Sequence, residues 1–135
     1  MSAMSPLSAP CVTPRVLVID DSITMRLFYR SVLEAAGFEV EEAINGVEGY
    51  EKVLSNDFDL LIVDINMPKM DGYSMLRAIR RDSAVLGVPA LTISMESGDA
   101  DALKAFEAGA NYYLVKPVAP AMLTEVAQLL AGVGR

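Results

Sequence analysis

Five short apolar segments alternate with five helical patterns, and this alternation restricts the fold more than any other feature. The segments are residues 15–19, 39–43, 60–63, 90–93 and 112–115. Four of the five are rich in aliphatic or aromatic residues, as β-strands are, and residues 39–43 mix apolar with charged side chains. Strands that alternate with helices indicate a parallel sheet covered by helices on both faces. The sequence therefore predicts one α/β domain built from five βα units.

Segment patterning also predicts the place of two strands in the sheet. Residues 39–43 alternate apolar and charged side chains, which is typical of an edge strand with one wet face. Residues 60–63 are continuously apolar, as a central strand buried on both faces would be.

The helices are predicted over 22–36, from Asn45 onward, over 73–81 and 99–108, and from Pro120 onward, with Gly37 and Gly109 as stops. Arg26, Arg30 and Glu34 are placed on the solvent side of the first helix. The apolar faces predicted to point inward are Met25, Phe28, Val32 and Ala36; Val47, Tyr50, Val53 and Leu54; Met75, Leu76 and Ile79; and Met122, Leu123, Val126, Leu129 and Leu130.

Composition excludes several classes of function. The length of 135 residues fits one domain, and no apolar stretch approaches the ~20 residues that a membrane helix needs. A net charge of −7 argues against nonspecific binding to nucleic acid or to an anionic membrane. There is no histidine, which removes histidine-dependent nucleophilic catalysis and the usual zinc sites. The single cysteine, Cys11, allows no internal disulfide, and a reducing cytoplasm is the expected compartment. Residues 1–14 lack the features of a secretory signal and are expected to form a flexible tail.

Polar side chains stand where four of the predicted strands end. Asp20 and Asp21 follow the first strand, Asp64 the third, Ser94 the fourth and Lys116 the fifth. Ligands of open α/β sheets bind at the carboxyl ends of the strands, so these side chains are expected to form one pocket. Such a pocket would hold a divalent cation and a phosphoryl group.

The same positions carry a family resemblance. The runs VIDDS (18–22), IVDINMP (62–68), DG (71–72), LTIS (91–94) and VKP (115–117) resemble the signature blocks of the bacterial response-regulator receiver domain. The resemblance covers residues 15–135 and implies a flavodoxin-like, doubly wound sheet in the order 2-1-3-4-5 with five helices. In its stand-alone format the chain is similar to chemotaxis regulators of the CheY type.

The resemblance implies a role for each residue of the pocket. Asp64 would be the phosphoacceptor, and Mg²⁺, with Mn²⁺ as an alternative, would be bound by Asp21, Asp64 and the backbone carbonyl of Asn66. Asp20 would act on the ion mainly through water. Lys116 would pair with Asp64 in the empty site and with the phosphoryl oxygens in the filled one. The peptide bond between Lys116 and Pro117 would be cis.

Further residues of the family pattern concern switching and phosphate lifetime. Ser94 would bind a phosphoryl oxygen, and Tyr113 would be the switch aromatic, with adjacent Tyr112 as an alternative register. Asn66 and Glu96 would orient the water that removes the phosphoryl group. Met95 departs from the small residue usual in the family and is expected to slow phosphorylation by small donors.

Each residue also has a purely structural interpretation. Asp64 would end a strand, the Asp20–Asp21 pair would cap a helix, and Lys116 would be a surface lysine. Ser94 would lie in a turn, and Tyr113 would be a half-buried ring that does not switch.

The function that follows is a phosphoacceptor signalling protein rather than an enzyme. A histidine kinase or histidine phosphotransfer protein would phosphorylate it, and the surface of the fourth helix, fifth strand and fifth helix would then bind a target such as a flagellar motor switch protein. A phosphorelay shuttle or phosphate sink and an allosteric regulator are alternatives. A monomer is expected, with a dimer as the alternative.

Two rival classes have distinct sequence signals. A phosphatase with an aspartyl intermediate would carry Asp-x-Asp after its first strand, with the nucleophile leading. A flavodoxin-like nucleotide or flavin binder would carry a glycine-rich phosphate loop, and none is present.

Overall fold

Five parallel strands form one sheet in the order β2-β1-β3-β4-β5. The strands are β1 (Arg15–Ile19), β2 (Glu39–Ala43), β3 (Leu60–Asp64), β4 (Ala90–Ser94) and β5 (Tyr112–Val115). The helices are α1 (Ile23–Ala35), α2 (Gly46–Ser55), α3 (Gly72–Arg81), α4 (Asp99–Ala108) and α5 (Pro120–Ala131). The predicted flavodoxin-like fold, with its strand order and five helices, is confirmed.

The computed structural model describes residues 13–67, 70–85 and 87–132. Residues 1–12 of the predicted tail, including Cys11, lie outside these ranges, as do Pro68 and Lys69 of the site loop. Pro14, which the sequence assigns to the tail, accepts a backbone hydrogen bond from Glu39 (2.9 Å). No helix in the described ranges is long and apolar enough to cross a bilayer.

Alternating strand residues supply a separate core on each face of the sheet. Leu17 and Val63 belong to the core beneath α2, α3 and α4, whereas Val18 and Ile62 belong to the core beneath α1 and α5. Every residue of β3 is buried between β1 and β4, so the central position predicted for it is confirmed. β2 lies at one edge, also as predicted, and β5 at the other.

Helix α2 turns a glycine face to the sheet, which the sequence did not predict. Gly46, Gly49 and Val53 are buried, whereas Val47 and Leu54, predicted to point inward, are exposed. A Cβ at Gly49 would lie 2.9 Å from Ile19 Cγ1, and one at Gly46 would lie 2.4 Å from the Met70 carbonyl oxygen. The helix therefore approaches the sheet through Gly49, and Val47 and Leu54 face outward.

The inward faces of α1 and α5 also differ from prediction. In α1 the buried residues are Arg26, Tyr29 and Leu33, and the predicted apolar face lies only partly buried beside them. In α5, Leu123, Val126 and Ala127 are buried, whereas Met122 and Leu129 are exposed. Arg26, predicted to face solvent, is thus part of the interior.

Candidate functional site

The carboxyl edge of the sheet brings the predicted polar residues together. Asp64 is the last residue of β3 and Ser94 the last of β4, while Asp20 and Lys116 each directly follow a strand. Strand register aligns these ends, because Ile19 pairs with Val63 and Ser94 pairs with Val115. The expected gathering of these side chains at one edge is therefore observed.

Three carboxylates form the centre of the site. Oxygen atoms of Asp20, Asp21 and Asp64 all lie within 4.8 Å of one another. Asp20 and Asp64 are 1% and 4% exposed, whereas Asp21 faces solvent. One Asp20 oxygen accepts a hydrogen bond from the Ser22 amide (2.8 Å). The other, Oδ2, is buried and has no hydrogen bond to any described residue.

Lys116 forms ion pairs with two of these acids. Its Nζ lies 3.4 Å from Asp64 Oδ1 and 3.9 Å from Asp20 Oδ2. Asp64 Oδ1 also accepts a hydrogen bond from the Asn66 amide (3.2 Å). Burial, followed by repulsion from Asp20, raises the pKa of Asp64 to about 6, although Lys116 opposes the shift. Burial likewise raises the pKa of Asp20.

The donor set fits a hard divalent cation. Within the described ranges, Lys116 is the one ammonium paired with the two buried carboxylates, and Asp21 forms no ion pair, so the negative charge of the three acids exceeds the positive charge paired with them. The buried Asp20 oxygen without a hydrogen bond would be free to bind an ion or its water. Oxygen-only ligands of this kind are those that Mg²⁺ takes.

Ser94 connects the acidic centre to the loop after β4. Its side chain is buried, its Oγ lies 3.5 Å from Asn66 Oδ1, and the Glu96 amide donates a hydrogen bond to it (3.1 Å). The side chains of Asn66 and Glu96 are exposed. Their backbone amides donate hydrogen bonds to Asp64 and Ser94, respectively.

The two tyrosines of β5 face different surroundings. Tyr113 is half-buried, packs against the core beneath α2, α3 and α4, and donates a hydrogen bond to the Glu96 carbonyl. Tyr112 is exposed. Tyr113 is thus the ring joined to the loop after β4. The predicted cis peptide bond between Lys116 and Pro117 is present.

Met95 borders an apolar groove at the mouth of the site. Its side chain is 70% exposed. The groove has a volume of about 580 Å³ and is lined by Thr24, Met25, Phe28, Met95, Lys116, Pro117, Val118 and Pro120. Lys116 belongs to both the groove and the acidic centre, so Met95 lines a groove that adjoins the site.

Two residues that support this site were not among the predicted site residues. Gly72 packs against the backbone of Asp64, where a Cβ would lie 2.7 Å from the Asp64 carbonyl oxygen. Arg26 donates a hydrogen bond from Nη1 to the Asp20 carbonyl (2.7 Å). The DG pair at 71–72 was a detectable signal for Gly72. The helical periodicity of α1 did not indicate that Arg26 supports the site.

Comparison with known proteins agrees with this geometry. Residues 16–128 match the family described as the response regulator receiver domain. The chemotaxis protein CheY1 of Helicobacter pylori is 41% identical over 120 residues, which cover 87% of this chain and 97% of that protein. A gliding motility regulatory protein of Myxococcus xanthus is 40% identical over 102 residues, which cover 76% of this chain and 13% of that protein. Among solved structures, the chemotaxis response regulator CheY4 of Vibrio cholerae superimposes with a TM-score of 0.84 at 34% identity, covering 88% of this chain and 99% of that one.

Proposed function

The chain belongs to the response regulator receiver domain family, and on that premise we propose that it accepts a phosphoryl group on Asp64 and signals through a changed surface. The observation that supports this most directly is the position of Asp64. It is buried at the end of the central strand, beside two further carboxylates and 3.4 Å from Lys116. We propose residues 15–135 as the extent of the domain.

The transfer itself requires a nucleophile and a phosphorylated donor. A carboxylate oxygen of Asp64 attacks the phosphorus of a phosphohistidine on a kinase or phosphotransfer protein. The new P–O bond forms as the P–N bond breaks, and the imidazole leaves with the electron pair. Lys116 then pairs with the phosphoryl oxygens in place of Asp64, and the Ser94 hydroxyl donates to one of them.

A divalent ion, Mg²⁺ or alternatively Mn²⁺, would be held by Asp21, Asp64 and the Asn66 carbonyl, with Asp20 acting through water. When bound, it supplies the positive charge that lets two anionic groups approach each other. Asn66 and Glu96 border the phosphoryl position and would orient the attacking water, which favours a short-lived phosphorylated state.

The signal leaves the site through the loop after β4. When Ser94 moves toward the phosphoryl group, the Tyr113 ring follows the loop to which it is hydrogen bonded. The surface of α4, β5 and α5 then changes its affinity for a partner. Two relatives that are named as chemotaxis proteins favour a flagellar motor switch protein as that partner, in the cytoplasm.

Intact-mass analysis after incubation with a panel of histidine kinases tests the phosphoacceptor. We expect the wild-type protein to gain the mass of one phosphoryl group in the presence of Mg²⁺, and Asp64→Asn to gain none. An equal gain by Asp64→Asn would refute the assignment. Turnover of a small phosphate ester would instead indicate a phosphatase.

A second experiment tests the partner. Motor switch protein is captured on the purified chain with and without beryllofluoride as a phosphoryl mimic. Capture that depends on the mimic supports motor control. Reverse transfer of the phosphoryl group from Asp64 to a histidine protein, without such capture, would support a shuttle instead.

A further inference from the structure

A buried arginine joins the acidic site to the edge of the sheet. Arg26 is 9% exposed, although it lies one turn along α1 from the solvent-facing start of the helix. Its Nη1 donates to the Asp20 carbonyl (2.7 Å) and its Nε to Glu42 Oε1 (2.8 Å). A buried guanidinium is costly unless its donors are paired, and these two contacts pair it.

Glu42 provides a fixed point for this arginine. Its second oxygen, Oε2, accepts a hydrogen bond from Arg30 Nε (2.6 Å), and its backbone carbonyl accepts one from Lys52 Nζ (2.6 Å). Glu42 is therefore held by cations from α1 and α2 as well as by the β2 ladder. Arg26 spans the distance between this fixed carboxylate and the turn that follows β1.

The bond to the Asp20 carbonyl has a specific geometric consequence. A peptide group is planar, so fixing the Asp20 carbonyl also fixes the amide of Asp21. The Cα atoms at the two ends of this plane carry two of the three carboxylates of the site. Holding one carbonyl therefore restricts the directions of both side chains.

We propose that Arg26 is a positioning residue for the acidic site, holding the Asp20–Asp21 peptide in the orientation that lets both carboxylates serve one cation. The proposal rests on the proposed function in one respect, since it takes the acidic site to be the cation site. Arg26 itself contacts neither the ion nor the phosphoryl group. Outer residues that orient metal ligands typically change metal affinity by about 10–100-fold when removed.

Arg30 is a matched control. It carries the same charge on the same helix and binds the same carboxylate, but no hydrogen bond links it to Asp20 within the described ranges. An effect of charge or of Glu42 pairing would appear in Arg26→Gln and Arg30→Gln alike. An effect of peptide positioning would appear only in Arg26→Gln.

Calorimetric titration with Mg²⁺ alone measures the effect of each substitution on the affinity for the metal. We expect Arg26→Gln to raise the apparent Kd about tenfold and Arg30→Gln to raise it less than twofold. Equal affinities of the two variants, with Mg²⁺ bound by the wild-type protein, would overturn the inference and leave the proposed function intact. If Arg26→Gln does not fold, Arg26→Met replaces it, because methionine is unbranched and donates a hydrogen bond to neither acceptor; an unchanged Kd would then overturn the inference.

Amide hydrogen exchange in metal-free protein measures the effect of each substitution on the order of the turn that follows β1. The Ser22 amide donates to Asp20 Oδ1, so its exchange reports the order of this turn. We expect faster exchange at Ser22 in Arg26→Gln than in Arg30→Gln. Equal exchange at Ser22 in the two variants would overturn the positioning role of Arg26, whether or not the wild-type protein binds Mg²⁺. Absence of Mg²⁺ binding by the wild-type protein would instead count against the proposed function.

Discussion

The hydroxyl of Tyr113 donates its hydrogen bond to the backbone carbonyl of Glu96, two residues beyond the buried Ser94. The Glu96 amide in turn donates to Ser94 Oγ (3.1 Å). Glu96, in the loop after β4, is thus hydrogen bonded through its amide to Ser94 and through its carbonyl to Tyr113, the residue proposed as the switch. Movement of Ser94 would therefore be transmitted to Tyr113 through Glu96.

Tyr113→Phe is expected to lower the free energy of unfolding by about 1 kcal/mol, because it removes one hydrogen bond and leaves the ring in place. The measurement is urea unfolding without Mg²⁺. Tyr112→Phe is the matched control on the same strand, since the Tyr112 hydroxyl has no hydrogen bond to any described residue, and a change below about 0.5 kcal/mol is expected. Equal losses in the two variants would contradict the role given to the Glu96 bond.

Asp64→Asn is expected to stabilise the metal-free protein at neutral pH. Burial followed by repulsion from Asp20 raises the pKa of Asp64 from 3.8 to about 6, so the folded protein holds this proton more tightly than the unfolded chain. Stability from this group is present below pH 4 and is lost as pH rises to about 6. At pH 7.5 the variant is expected to be more stable than wild type by on the order of 2 kcal/mol.

Urea unfolding at several pH values in chelator tests this prediction. The difference between Asp64→Asn and wild type should grow from pH 4 to about 6 and then remain constant. Added Mg²⁺ should stabilise wild type by mass action and the variant much less. A stability difference that does not vary with pH would show that Asp64 ionisation is not its cause.

Parallel strand ends could be located from sequence because the signal is local. Asp64 and Lys116 each directly follow an apolar run, and the carboxyl ends of parallel strands meet at one edge. Neither the spacing of the two residues nor their 3.4 Å separation had to be known in advance. The α/β class and the positions of the site residues were predictable for this reason, whereas the strand order was implied by the family resemblance.

Helix faces were less predictable, because burial depends on partners that are distant in sequence. Leu54 has the periodicity of a core residue, but α2 approaches Ile19 through Gly49 and turns Leu54 outward. Arg26 is of a residue type that usually faces solvent, but its charge is paired in the interior with Glu42, 16 residues away on β2. The hydropathy pattern of a single helix therefore predicts neither of these contacts.

Met95→Ala is expected to increase the rate of phosphorylation by a small donor such as acetyl phosphate several-fold, and to change the kinase-driven rate less. The exposed methionine lines the groove shared with Lys116, so truncation widens the approach to Asp64. The rate of phosphorylation is measured for both donors. Leu54→Ala on α2 removes an exposed apolar side chain outside this groove and should change neither rate. An unchanged acetyl phosphate rate in Met95→Ala would exclude the steric explanation.

Gly72→Ala is expected to damage both stability and the site. The added Cβ would lie 2.7 Å from the Asp64 carbonyl oxygen and 3.0 Å from Ile65 Cα, both in the backbone, which cannot move aside as a flexible side chain would. Overpacking of this kind costs about 1–3 kcal/mol. The displaced backbone carries Asp64, so Mg²⁺ affinity and phosphorylation should fall with stability. Gly87→Ala meets no atom within 4 Å and is the control expected to leave both unchanged. Full phosphorylation in a destabilised Gly72→Ala protein would show that the contact supports the fold and not the site.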